Sequence, residues 1–471
     1  MNERRRHPSR SGQPGRPAGQ QSRPGKRQTP PLPGLAARKL AAAAVSDVLD
    51  RHHSFDAAFQ ARAEALGQEA LAERDRGFAR LIAATVLRRH GVLAELLATY
   101  ITKPLPRSRG MLDAILLTAA AQLLLLDTQP HAAISLAVTL AKSDPQARRF
   151  EGLTNAVLRR LATEGPARLA ACELDWASLP GWLRARWRET YGDELARAIA
   201  AASLREAPLD LSVKADAAQW AERLGGIVLS TGTVRLAARG RIDQIDGYTE
   251  GAWWVQDAAA ALPARLLGAV EGRSVLDLCA APGGKTAQLA AAGAIVTAVD
   301  SDSGRLARVA ANLTRLGLEA ATVTADARTF TPGASEALYD AVLVDAPCTA
   351  TGTIRRHPDI PHLKRASDIA KLATLQAEIL ANAARLVRQG GRLVYCTCSL
   401  EPEECEAQIA GFLAQHSNFR PVPVDGARFG IPAECLTPVG HLRTLPCHFA
   451  LDPPELSGID GFFAAIVERV G

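Results

Sequence analysis

Three short runs gather the residues best suited to chemistry: Asp277 to Thr286 (DLCAAPGGKT), Asp345 to Cys348 (DAPC) and Tyr395 to Ser399 (YCTCS). A cysteine thiolate is a potent nucleophile near neutral pH, so Cys348 and Cys398 point to covalent catalysis through sulfur. A lone cysteine is more often a small buried hydrophobe. Two thiols at the ends of neighbouring strands beside a ligand loop reverse that expectation, and Asp345 adds a carboxyl able to stabilise a charged adduct. Spacing alone does not choose between the two thiols. A zinc site is the other use of cysteine, but C-x-x-C is missing and Cys396, Cys398 and Cys405 lack the usual spacing with histidine.

The loop Cys279, Ala280, Ala281, Pro282, Gly283, Gly284, Lys285 is the candidate cofactor site. Small residues let backbone approach a ligand, and a helix start presents free amides. Two cofactors compete for it. The pattern G-x-x-x-x-G-K-[ST] of a phosphate loop is met except at Cys279, and Asp345 could then hold magnesium, so a phosphate-loop ATPase is the alternative reading. Against it, the next β-rich run ends in Asp300, roughly 20 residues on, where an acid takes ribose hydroxyls. A third run leads to Asp326. With Asp277, these acids on three successive runs favour a neutral or cationic nucleoside over a triphosphate, whose charge they would repel without bound metal. S-adenosylmethionine is cationic at sulfur and carries adenosine.

Those residues need elements to hold them. Beyond Gly272, β-rich runs Val275 to Leu278, Ile295 to Val299, Ala321 to Thr324, Tyr339 to Val344 and Gly391 to Cys398 alternate with helical stretches such as Arg305 to Leu316 and Ser367 to Val387. This is the βαβ pattern of an α/β, Rossmann-like, doubly wound parallel sheet, whose ligands bind beyond the carboxyl ends of the strands. Residues 458–470 supply a final β segment, expected antiparallel. A helix is expected to begin near Gln256 and Asp257, opening the domain that spans 263–471.

Upstream, 166–262 mixes tryptophan-bearing helical pieces with short alternating segments, a small α+β connector. Residues 35–165 are helical almost throughout, an all-α domain. Two of its stripes, Phe78 to Arg89 and Phe150 to Leu161, are read as ending in or near paired arginines, which suit a helix C-terminus and equally an RNA phosphate. Met1 to Gly34 is basic, with one acid, Glu3, and rich in Pro, Gly and Ser; it is expected to be a disordered tail, free or laid on RNA phosphates.

Hydrophobic residues at 47% and charged residues at 22% exclude a disordered or fibrous chain, and 471 residues call for more than one core. Eight cysteines without an early apolar signal segment fit a reducing compartment, the cytoplasm. The richest apolar run, Met111 to Leu126, is too short to span a bilayer and reads as a buried helix. A net charge of +6 suits a polyanion without demanding one.

The stretches DLCAAPGGKT, DAPCTATGTIRRHPDI and YCTCSLEPEE, in this order, resemble the RNA 5-methylcytosine methyltransferase family, and residues 123–143 and 152–165 resemble the NusB-like RNA-binding domain. Together they resemble the branch of the family that modifies small-subunit ribosomal RNA. The resemblance implies S-adenosylmethionine as methyl donor, held by Cys279 to Lys285 with Asp300, Asp326 and Asp345. It implies that Cys398 attacks the base and that Cys348 assists product release. No metal is implied, and nothing demands more than a monomer. Three departures stand out: Thr349-Ala350 where the family has Ser-Gly, and thiols at Cys396 and Cys405. Arg355, Arg356 and His357 are placed either to grip phosphates around a flipped base or to form an exposed basic turn. A non-catalytic RNA-binding assembly factor is the rival of another class.

Overall fold

The computed structural model describes residues 1–2, 32–67, 71–237, 240–333 and 338–470; nearly all of the basic tail lies outside them. The chain first forms helices Leu35–Arg51, Phe55–Leu66, Glu73–Ala98, Leu112–Leu124, Pro130–Ser143 and Glu151–Ala170. Leu112–Leu124 is the buried helix expected from its composition. It is apolar on nearly every face, and its buried Thr118 and Gln122 turn back onto backbone carbonyls of Ala114 and Thr118, both at 2.8 Å. Among the described residues no helix is long and apolar enough to cross a membrane.

Of the paired arginines, the first pair closes a helical segment and the second does not. Arg88 and Arg89 lie inside Glu73–Ala98, at a kink where Arg89 has φ −114° and ψ 16°. Arg89 pairs with Asp175, and Arg88 Nη2 donates to the Arg355 carbonyl at 3.2 Å, so this pair braces neighbouring segments instead of facing RNA. Arg159 and Arg160 are exposed and mid-helix, since Glu151–Ala170 runs on past position 165.

After helices Gly181–Tyr191 and Asp193–Ser203, strands β1 (Leu209–Val213), β2 (Ile227–Val228), β3 (Val234–Leu236) and β4 (Trp253–Val255) form an antiparallel sheet in the order β2-β3-β1-β4. Opposite one another in it, Asp210 and Arg235 form a fully buried bidentate pair with both contacts at 2.7 Å. Arg235 Nη1 also donates to the carbonyls of Leu456 and Gly458, at 2.8 and 2.6 Å, which anchors this sheet to the last part of the chain.

The helix expected from Gln256 begins instead at Leu262, as Leu262–Leu266. Asp257 is occupied otherwise: one carboxylate oxygen accepts from the Ala259 amide at 2.8 Å and the other from Arg356 at 2.6 Å. A side chain that caps its own turn competes with helix formation.

The largest sheet contains β5 (Ser274–Leu278), β6 (Ile295–Asp300), β7 (Ala321–Thr324), β8 (Tyr339–Asp345), β9 (Val387–Thr397), β10 (Phe419–Val422), β11 (Leu442–Thr444) and β12 (Phe462–Arg469). Its order is β10-β12-β9-β8-β5-β6-β7, with β11 beside β12; β5 to β9 pair in parallel and β12 is antiparallel to β9. Side chains alternate as strand geometry requires: Val275, Leu343, Val394 and Cys396 pack in one apolar layer, Leu276, Val342, Leu393 and Tyr395 in the other. The chain reverses its direction of travel across the sheet between β5 and β8, and a crevice opens beyond their carboxyl ends.

Candidate active site

Both thiols sit just past the sheet. Cys398 follows β9 and Cys348 follows β8, and their sulfur atoms are 3.5 Å apart, each residue half-buried. Together with Cys279, Asp300, Asp326 and Asp345 they line one cavity of about 510 Å³. Asp345, the last residue of β8, accepts from Lys285 Nζ at 2.7 Å and faces the Cys396 sulfur at 3.5 Å. The hydrogen bond to Cys398, then burial, push the Cys348 thiol well above its usual range, so it keeps its proton.

The cofactor loop is shaped by backbone. Cys279 has φ +61°, the left-handed region. Gly283 has φ +101°, and a Cβ there would meet Val309 Cγ1 at 2.9 Å, so this position needs glycine. Helix Gly284–Ala291 starts directly after it. Cys279, Ala281 and Pro282 reach the cavity wall, whereas Ala280, Gly283, Gly284 and Lys285 shape the loop without lining it. Burial opposes the Lys285 charge, but the Asp345 carboxylate more than offsets this and holds the ammonium charged. Lys285 is thus committed to Asp345, and a phosphate loop would need it free.

The acids differ in surroundings. Asp300 is almost wholly buried; it accepts from the amides of Ala281 and Asp302 at 3.2 and 3.0 Å and is paired with Arg305. Asp326 is half-buried and paired with Arg328. Asp277 lies beneath the loop, where it accepts from Thr286 Oγ1 at 2.6 Å, and burial pushes its carboxyl up to about 7. Sequence reasoning missed Arg305 and Arg328 at the cavity, and also Leu375 and Ile379. The last two are one helical turn apart on Ala366–Leu386; their spacing is visible in the sequence, but nothing there says which surface they cover.

Arg355 and Arg356 are not available to phosphates. Arg356 contacts Asp257 at 2.6 Å and Asp460 at 3.1 Å, and Arg355 lies 3.5 Å from Asp460, all within the protein. His357 instead lines a second cleft, of about 1450 Å³, with Arg74, Arg76, Arg80, Arg241 and Arg308. Ala350 takes φ +59°, the conformation that the glycine usual in the resembling family would favour. Cys405 is fully buried against Thr397 Oγ1 at 3.2 Å, and burial raises its thiol to about 12, a packing role. Among the described residues the metal-capable group is Glu434, Cys435 and His448, which includes none of the cavity thiols.

Residues 264–468 match the family model described as 16S rRNA methyltransferase RsmB/F, and residues 35–163 match the NusB family. Ribosomal RNA small subunit methyltransferase B of Sodalis glossinidius (strain morsitans) is 38% identical over 398 residues, 80% of this chain and 89% of that protein. The protein of the same name from Xanthomonas campestris pv. campestris is 36% identical over 411 residues, 84% of this chain and 92% of its own length. A methyltransferase homolog protein from Pyrococcus horikoshii has a crystal structure that superposes with a TM-score of 0.50 at 26% identity, covering 61% of this chain and 94% of that one. With identity of this level along most of both chains, and two family models matched in succession, this chain belongs to the RsmB/F family of 16S rRNA methyltransferases, in the form that carries a NusB-family unit ahead of the catalytic one.

Proposed function

We propose that this chain transfers a methyl group from S-adenosylmethionine to carbon 5 of a cytosine in small-subunit ribosomal RNA, with Cys398 as nucleophile. The observation that carries this reading is the pair of thiols 3.5 Å apart, in one cavity with Asp345 and the nucleoside-side acids. Carbon 5 of cytosine is a poor nucleophile. Addition of the Cys398 thiolate to carbon 6 breaks the C5–C6 π bond and turns the ring into an enamine, which carries nucleophilic density at carbon 5. Asp345, held by Lys285, stabilises charge at the ring nitrogens of that adduct. S-adenosylmethionine, when bound, supplies an electrophilic methyl group. Loss of the carbon 5 proton to a base then returns the electron pair to the ring and expels the sulfur. Cys348, kept as a thiol, donates a hydrogen bond to the departing Cys398 anion.

The cavity fits the donor. Its volume is within the range of small-molecule sites, its loop is built of small residues, and Asp300, Asp326 and Asp345 suit a cationic nucleoside. Leu375 and Ile379 give a flat ring an apolar wall. The larger cleft, with five arginines and His357 against Asp56, Glu73 and Asp359, gives the RNA backbone a path between the helical unit and the catalytic one. In this reading 35–165 holds RNA, 166–262 connects and 263–471 catalyses, in a cytoplasmic monomer that needs no metal.

Replacing Cys398 with Ala abolishes transfer of labelled methyl groups to unmodified small-subunit RNA. Replacing Cys348 with Ala permits attack and leaves an RNA–protein adduct that survives denaturing electrophoresis. Normal activity of the Cys398→Ala enzyme would overturn the assignment. Bisulfite sequencing of ribosomal RNA from cells with and without the gene identifies the cytosine.

A further inference from the structure

The β8–β9 ladder ends at the pair Asp345 and Cys396, so Cys348 and Cys398 both lie beyond its last rung. One backbone bond spans the loops there, from the Gly352 amide to the Cys398 carbonyl at 2.9 Å. The Leu400 amide also donates to the Thr351 hydroxyl at 3.0 Å, that hydroxyl donates to Glu401 at 3.3 Å, and the Thr349 and Ser399 hydroxyls lie 3.2 Å apart, but the densest set of ties meets at one side chain. Glu404, on the turn after β9, is wholly buried, and its carboxylate is where four donor groups meet. The Thr349 amide donates to its two oxygens at 2.9 and 3.3 Å, and the Thr349 hydroxyl donates as well. The Ser399 hydroxyl donates at 2.5 Å, and Gln376 Nε2 at 3.1 Å.

Thr349 is the residue after Cys348, and Ser399 is the residue after Cys398. A single carboxylate therefore grips the residue next to each thiol, by its amide and hydroxyl at Thr349 and by its hydroxyl at Ser399. Gln376 also donates to the Pro347 carbonyl at 2.9 Å, and the Tyr395 hydroxyl donates to the Glu404 carbonyl at 2.7 Å, which closes the bracket from behind. A buried carboxylate must have its lone pairs filled, most often by a cation. Here all four donors are neutral groups, and three of them belong to residues adjoining the thiols. An acceptor-only group suits this set; an amide would turn its own donors against some of theirs.

We propose that Glu404 is the positioning residue that sets the separation of the two thiols, clamping the Cys348 loop and the Cys398 loop into one frame. This rests on the reading that both thiols work in one reaction. Misplacement of a reacting group by about 1 Å costs roughly a hundredfold in rate, so loosening the clamp acts on turnover more than on binding.

The test uses the full-length enzyme and two readouts. Diamide takes the hydrogens of two adjacent thiols and is reduced to the hydrazine as the disulfide forms; from 3.5 Å the sulfur atoms close to about 2.05 Å. The rate of Cys348–Cys398 disulfide formation, followed by peptide mass spectrometry, thus reports their separation without any methylation. Glu404→Ala is expected to slow this crosslinking and to lower kcat, each by at least about tenfold, with the RNA KM and S-adenosylmethionine affinity held within about twofold. Glu404→Gln is expected to recover part of both. The double variant Thr349→Val, Ser399→Ala removes two of the four donors, the hydroxyls, with Glu404 in place and is expected to act in the same direction. It decides the matter if the Glu404 variants do not fold. Wild-type crosslinking and kcat in the folded variants would overturn the proposal. Slowed crosslinking in a protein that methylates no RNA would uphold the clamp and remove the reading on which its purpose rests.

Discussion

Asp277 shows what burial does to a single carboxyl. It is fully enclosed under the cofactor loop, with Thr286 Oγ1 donating to one oxygen, and its pKa rises to about 7 through desolvation. An unfolded aspartate titrates near about 3.9, so between that value and about 7 the folded protein binds more protons than the unfolded chain. Stability contributed by the neutral form is present at the acid end of this window and is lost as pH rises through it. Asp277→Asn keeps an acceptor for Thr286 and does not titrate. The expected outcome is a smaller difference in urea-unfolding free energy between pH 5 and pH 8, by roughly 1–3 kcal/mol. An unchanged difference would show that the carboxyl is ionised in the folded state. Lys285 is the counterexample, buried yet held charged because Asp345 lies 2.7 Å away. Neither state was legible in the loop itself, where Asp277 and Lys285 are simply an acid and a base eight residues apart.

At the scale of the element, the loop between β5 and helix Gly284–Ala291 carries nearly the whole phosphate-loop pattern, with Cys279 in place of the first glycine. Cys279 already takes the left-handed backbone conformation a glycine there would favour. Cys279→Gly therefore completes the pattern at no conformational cost in the folded loop. It is still expected to gain no magnesium-dependent ATP binding by calorimetry, because Lys285 is bound to Asp345 and the nearby acids repel a triphosphate. Tight ATP binding by this variant would revive the alternative. The strands themselves were read within a few residues from their β-branched runs, as were helices Ser303–Leu316 and Ala366–Leu386. Where the reading failed at Gln256, the Asp257 side chain had found Arg356 outside its own element, and at Arg159 and Arg160 the helix runs on with both arginines bonded along it.

At the scale of the molecule, buried ion pairs join the small antiparallel sheet to the catalytic unit. Arg235 and Asp210 are both fully enclosed, and the same guanidinium reaches the carbonyls of Leu456 and Gly458. Removing one partner of such a pair leaves an uncompensated charge, at a cost of about 3–5 kcal/mol. Arg235→Ala is accordingly expected to lower the unfolding temperature in calorimetry and to loosen the connector from the sheet. An unchanged transition would mean that the pair is not a structural joint. Arg355 and Arg356 extend this network through Asp257 and Asp460, which is why a pair of arginines beside the thiol loop turns inward and leaves RNA contact to other residues.

The order of strands and helices, the acids at strand ends and the two thiols were written in the sequence, because periodicity of side chains and turn chemistry are local properties. So was the family, carried by motifs that are each a single uninterrupted stretch. The 3.5 Å between Cys348 and Cys398, the surrender of Lys285 to Asp345, the clamp at Glu404 and the inward arginines were decided by packing. In each the partner lies on another turn or strand, and only a folded core brings such groups together while excluding the water that would otherwise satisfy them.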